Sequence, residues 1–108
     1  MLTRLSHVLL IIKIEFMELV FAKENELYVA EFEATGDFNI HVEGVSEGNI
    51  AAYQRTSAEG GFSLIRGSQV YPSYGKVYDV DFAGVIYPKT IKVTCASEPT
   101  LGVVTFNE

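Results

Sequence analysis

The chain has no tryptophan, one cysteine, two histidines and three prolines in 108 residues. A lone Cys95 closes no disulfide within the chain and supplies no cysteine-rich zinc site. His7 and His41 lie far apart, and neither has a second His or Cys at ligand spacing, so no transition-metal centre is framed. Basic residues are scarce as well: 8 Lys and Arg stand against 14 Asp and Glu, for a formal charge of −6. A face that neutralises phosphates needs the reverse balance, gathered in one place. Here the lysines and arginines are dispersed, and nucleic acid is not an expected partner.

Long apolar runs are missing too. The longest near the N-terminus, Val8 to Ile12, stops at Lys13. A secretory apolar region takes roughly 7–15 residues followed by a small-residue cleavage site, and a membrane helix takes about 20. Neither a signal peptide nor a membrane partner is expected. Catalytic signatures are equally sparse. No Gly-x-Ser-x-Gly elbow occurs, and Gly60, Gly61 and Gly67 precede no helical pattern, so neither a serine nucleophile nor a phosphate cradle is indicated. We expect no enzyme activity, no catalytic residues, no bound metal and no cofactor.

What the chain does contain is alternation. Apolar residues make up 48% of it, enough for one folded core. In Glu26–Glu43, Tyr28, Ala30, Phe32 and Ala34 fall on one face of an extended strand, with Glu31 and Glu33 on the other. After Thr35-Gly36-Asp37, Phe38, Ile40 and Val42 share a face opposite Asn39, His41 and Glu43. A side-chain period of two, apolar in and polar out, marks strands buried on one side. The spacing predicts two adjacent antiparallel strands joined by a turn in which Gly36 and Asp37 accommodate positive φ.

The same punctuation continues. Glu18–Phe21 reads as a short strand, with Lys23–Glu26 as the turn that follows. Ile50–Arg55 and Phe62–Arg66 read as a hairpin across Ala58-Glu59-Gly60-Gly61, Gly67–Lys76 as a loop, and Val77–Phe82, Thr90–Cys95 and Leu101–Phe106 as strands. The expected fold is all-β: a single-domain antiparallel β-sandwich of seven to eight strands, immunoglobulin-like or jelly-roll in topology. Residues 17–108 form that domain. Residues 1–16 break the register and composition, and two readings of them stay open: a β-branched strand, or an extension upstream of a natural start at Met17.

Four features merit functional weight. Asp79 and Asp81 alternate on one strand face, near enough to share a cation or bracket a substrate. Calcium needs six to eight oxygen ligands, which the neighbouring residues do not provide, so a wet strand face opposite Lys92 is expected instead. His41 sits on the outer face between Asn39 and Glu43. Cys95 lies on the apolar face of its strand, as a small core residue rather than a nucleophile. Tyr71, Tyr74 and Tyr87 fall in or beside loops that a sandwich could gather at one end, where tyrosine suits sugar stacking and protein contacts alike. Tyr78 falls beside the same loops, and its plainer reading is a core residue.

The segments GDFNIHVE (36–43), VYDVDFAGVIYPKTIKV (77–93) and EPTLGVVTF (98–106) resemble a group of short uncharacterised β-rich proteins of Bacteroides-type gut bacteria and their tailed phages. The resemblance runs from about Met17 to Phe106 and has no counterpart for residues 1–16. It implies a small virion-associated or prophage-encoded sandwich, such as a capsid decoration protein, with the virion or the cytoplasm as its location. It carries no site residues across. The expected function is thus a structural module that associates with itself or with a larger particle. The alternative is a carbohydrate-binding module using Tyr71, Tyr74 and Tyr87. The terminal strands Glu18–Phe21 and Leu101–Phe106 carry few internal charges and read as open sheet edges available for pairing.

Overall fold

The computed structural model describes residues 14–70, 77–83 and 88–107. Among them lie nine strands and no helix: β1 (Ile14–Glu18), β2 (Ala22–Glu24), β3 (Leu27–Ala34), β4 (Phe38–Glu43), β5 (Ile50–Arg55), β6 (Ser63–Leu64), β7 (Tyr78–Phe82), β8 (Lys89–Cys95) and β9 (Leu101–Asn107). They form two antiparallel sheets packed face to face, one in the order β1-β9-β4-β7 and the other in the order β2-β3-β8-β5-β6. The protein is a β-sandwich.

The alternation written in β3 and β4 is the alternation of burial. Ala30, Phe32 and Ala34 are buried while Glu31 and Glu33 are exposed, and Phe38, Ile40 and Val42 are buried between half-exposed polar residues. The pairing differs from the expected one. β3 pairs with β2 and β8, and β4 pairs with β9 and β7, so the two strands belong to opposite sheets. Thr35–Asp37 is an arch over the core, and neither Gly36 nor Asp37 takes a positive φ. The reason is that each strand has one fully apolar face. Side by side, those faces would need a separate cover; turned toward one another, they cover each other. β8 and β9 repeat this arrangement beside them, and the two arches supply the central strands of both sheets.

Among the described strands, two pairs of sequence neighbours form hairpins. One joins β2 to β3 through Asn25-Glu26, where Asn25 has φ of 57°, a left-handed conformation that Asn adopts more readily than most residues. The other joins β5 to β6, with Tyr53 opposite Leu64 and Gln54 opposite Ser63.

The terminal strands also differ from expectation. β1 begins at Ile14, crosses the sequence boundary at residues 16 and 17, and ends at Glu18. Leu19–Phe21 is the crossover to the second sheet rather than a strand, and Leu19 turns inward while Val20 is 81% exposed. This crossover closes over Gly102, whose added Cβ would lie 2.7 Å from the Phe21 ring and 3.2 Å from Leu19 Cβ. β9 is not an edge: it is paired with β1 on one side and β4 on the other, and Val104 is fully buried. Among the described residues the edges are β1 and β7 in one sheet and β2 and β6 in the other.

Four phenylalanines fill one end of the core. Phe82, Phe38 and Phe106 stand in register across β7, β4 and β9, and Phe32 meets two of them from the opposite sheet. Phe38 and Phe82 stack at 4.9 Å, and Phe32 meets Phe106 edge to face at 5.9 Å. Lys89 faces inward in register with Ala34, and its ammonium donates to Gln54 Oε1 at 2.5 Å. That contact satisfies a cation which burial would otherwise penalise.

Candidate functional site

The outer face of the β1-β9-β4-β7 sheet gathers the polar side chains that the sequence alternation turns outward. Register places His41 opposite Asp79 and Asn39 opposite Asp81. Asn39 Nδ2 donates to Asp79 Oδ1 at 2.6 Å and to Asp81 Oδ1 at 2.9 Å. His41 Nδ1 lies 3.1 Å from Asp79 Oδ2, and its Nε2 lies 2.7 Å from Glu43 Oε2. The result is an unbroken ladder, Glu43–His41–Asp79–Asn39–Asp81, zipped across β4 and β7.

Its chemistry follows from donor counting. A neutral imidazole carries one N–H and one lone pair, whereas an imidazolium carries two N–H groups. Two carboxylates on two nitrogens therefore select the imidazolium. Accordingly, the hydrogen bond to Glu43, then that to Asp79, raises the His41 pKa above its ordinary 6.5. The amide of Asn39, followed by His41, lowers that of Asp79. With both nitrogens committed, His41 has no lone pair free to ligate a metal or to take a proton from a substrate.

The Asp79 and Asp81 pair thus has partners other than the one expected. Lys92 belongs to β8 of the opposite sheet, and the carboxylates face Asn39 and His41 instead. Among the described residues no group of three or more His, Cys, Asp or Glu is arranged to hold a metal ion. Sequence reasoning placed Asn39, His41 and Glu43 on one outer face and Asp79 and Asp81 on another. It missed that the two strands are neighbours and that Asn39 is the bridge. The available signal was complementarity between an x-Asn-x-His-x-Glu strand and an x-Asp-x-Asp strand.

The outer face of the other sheet carries a different group. The Phe62 ring lies 4.5 Å from the Arg55 guanidinium and 4.5 Å from the Lys92 ammonium, and Lys92 also stands 5.7 Å from the Tyr53 ring. Tyr53 and Lys92 are cross-strand partners, and the two cations pin the β5–β6 connection onto the sheet.

Tyr71, Tyr74 and Tyr87 lie outside the described residues. Tyr78 is buried, its phenol pushed upward by burial, and its hydroxyl donates to the Ser68 carbonyl at 2.8 Å. Ser68, unnoticed in the sequence, is also buried: its Oγ accepts from the Ala52 amide and shares its proton between the Ile65 and Ala52 carbonyls. The first part of the expected loop is therefore stitched to β5, and Val70 and Ile50 exchange both backbone hydrogen bonds. Cys95 is fully buried on the inner face, where burial pushes its thiol up to about 12. A cavity of about 130 Å³ opens between Leu19, Phe21, Pro99 and Gly102. Ligand pockets usually take about 300–1,000 Å³, so this one suits no more than a few solvent molecules.

No family model, no curated protein and no solved structure matches the chain.

Proposed function

We propose that the protein is a non-enzymatic structural module that assembles by pairing strand edges, with β1 as the pairing strand. The observation that carries this reading is the difference between β1 and the other three edges. β2 has three residues and β6 two, too short to template a partner. β7 presents Asp79 and Asp81, and charges on an edge discourage pairing. β1 has five residues, is hydrogen-bonded on one side to β9, and holds Phe16 at 73% exposure.

The partner is a second copy. Two β1 strands related by a two-fold axis at Phe16 would place Phe16 beside its own counterpart, a self-complementary contact. Such a contact is smaller than the roughly 800 Å² per partner of a stable complex, so the isolated pair is weak. A weak two-fold contact suits copies held close together on a larger particle, where the effective concentration is high. The resemblance to phage-associated proteins points the same way, toward a virion-associated role such as capsid decoration.

Sedimentation over a wide concentration range tests the proposal. Wild-type protein is expected to dimerise as concentration rises, and Phe16→Lys to stay monomeric with an unchanged melting temperature. Wild-type protein that remains monomeric throughout would overturn it.

A further inference from the structure

The polar ladder bridges β4 and β7, and among the described residues no strand pairs with the other side of β7. We infer that Glu43–His41–Asp79–Asn39–Asp81 is a proton-operated clasp that holds β7 against β4, tight while His41 is an imidazolium and slack once it is neutral. The inference is independent of how β1 associates.

The charges that face His41 make the argument. On its own strand stand Asn39 and Glu43, and on β7 stand Asp79 and Asp81. On the other side, β9 presents Leu101, Val103 and Thr105, and beyond it β1 presents Phe16 and Glu18. Among the described residues no lysine or arginine shares this face. His41 is the cation that balances Glu43 and Asp79, and Asn39 is a neutral donor that cannot replace it. When His41 loses a proton, one nitrogen turns a lone pair toward a carboxylate, and that contact changes from attraction to repulsion.

The signs of the two shifted groups define the window. His41 has a raised folded pKa, so its contribution is complete below the ordinary 6.5 and disappears as pH rises through the raised value. Asp79 has a lowered folded pKa, so its contribution is complete above the ordinary 3.8 and disappears as pH falls through the lowered value. Between those limits the clasp is closed. Alkaline release frees β7 first, since among the described residues β4 is its one paired neighbour, and leaves the backbone groups of β4 open for another strand.

Hydrogen exchange at Tyr78–Phe82, read against β3 in the same molecules and corrected for intrinsic rates, tests this at about pH 5.5 and about pH 8.5, either side of the ordinary histidine range. Protection of β7 relative to β3 is expected to fall about two- to fivefold at the higher pH, the range an exposed ion-pair cluster supplies. His41→Gln should remove that pH dependence and show the lower protection at both values. Relative protection that does not change with pH in the wild type, or that still changes in His41→Gln, would overturn the clasp. A second measurement needs no variant. Imidazole nitrogen shifts of the wild-type protein at about pH 6.5 are expected to show both His41 nitrogens protonated, and a neutral tautomer as the main form there would equally overturn it.

Discussion

Phe32 and Phe38 are six positions apart in the chain, and their rings meet edge to face across the sandwich, with centroids 5.3 Å apart and planes at 85°. Each ring comes from a different sheet, and the Thr35–Asp37 arch between them turns the chain through the thickness of the core. Edge-to-face pairs of this kind contribute beyond the area they bury.

Phe32→Ala and Phe38→Ala are each expected to cost about 3–5 kcal/mol, a large share of the stability of a small domain. A double-mutant cycle should return a coupling of about 0.5–1.5 kcal/mol between them. Glu33→Ala, on the outer face where Glu33 accepts from Thr90, should cost far less. Denaturant titration of the variants measures all three. Equal losses for Phe32→Ala and Glu33→Ala would invert the assigned faces.

Charge on β9 separates its two faces. Val104 is fully buried in a strand paired on both sides, whereas Val103 is part-exposed on the outer face beside His41. Val104→Lys is expected to abolish cooperative thermal unfolding, and Val103→Lys to keep it. A folded Val104→Lys protein with a native circular dichroism spectrum would contradict this register.

Gly102→Ala opposes two effects. Replacing glycine by alanine in an unstrained extended position stabilises by about 0.4–1 kcal/mol through the unfolded chain. Here the new Cβ meets Phe21 and Leu19, and overpacking of that kind costs about 1–3 kcal/mol. A net loss of stability is expected, with partial recovery when Phe21→Ala is added. Melting temperatures of the three proteins decide it, and a Gly102→Ala protein more stable than the parent would show that Phe21 moves aside freely.

Cys95 should be silent in the folded protein. Its thiol is buried and its pKa pushed up to about 12, while reaction requires an accessible thiolate. A disulfide reagent at mildly alkaline pH is expected to modify it only as fast as the chain unfolds, so that labelling accelerates with added denaturant. Immediate stoichiometric labelling without denaturant would place the thiol at the surface.

Much of the architecture is legible in the sequence, because a period of two is a local property. The inward set of Phe32, Phe38, Ile40, Val42, Ile91, Val93 and Cys95 follows from alternation alone, and with it the all-β class and the outward positions of Asn39, His41, Glu43, Asp79 and Asp81. The tertiary structure decided which strand lies beside which. Strand alternation looks the same whether the next strand is a hairpin neighbour or the opposite wall of the sandwich, so it could not tell that β3 and β4 face each other through the core. Nor could it reveal that β9 is interior and that β1 is an outer strand among the described residues. For the same reason each half of the polar ladder was visible and the ladder was not: His41 and Asp79 are 38 positions apart, and only the pairing of β4 with β7 brings the imidazole and the carboxylate together. Facing is set by each residue's neighbours in sequence; pairing is set by how all the apolar faces can be covered at once.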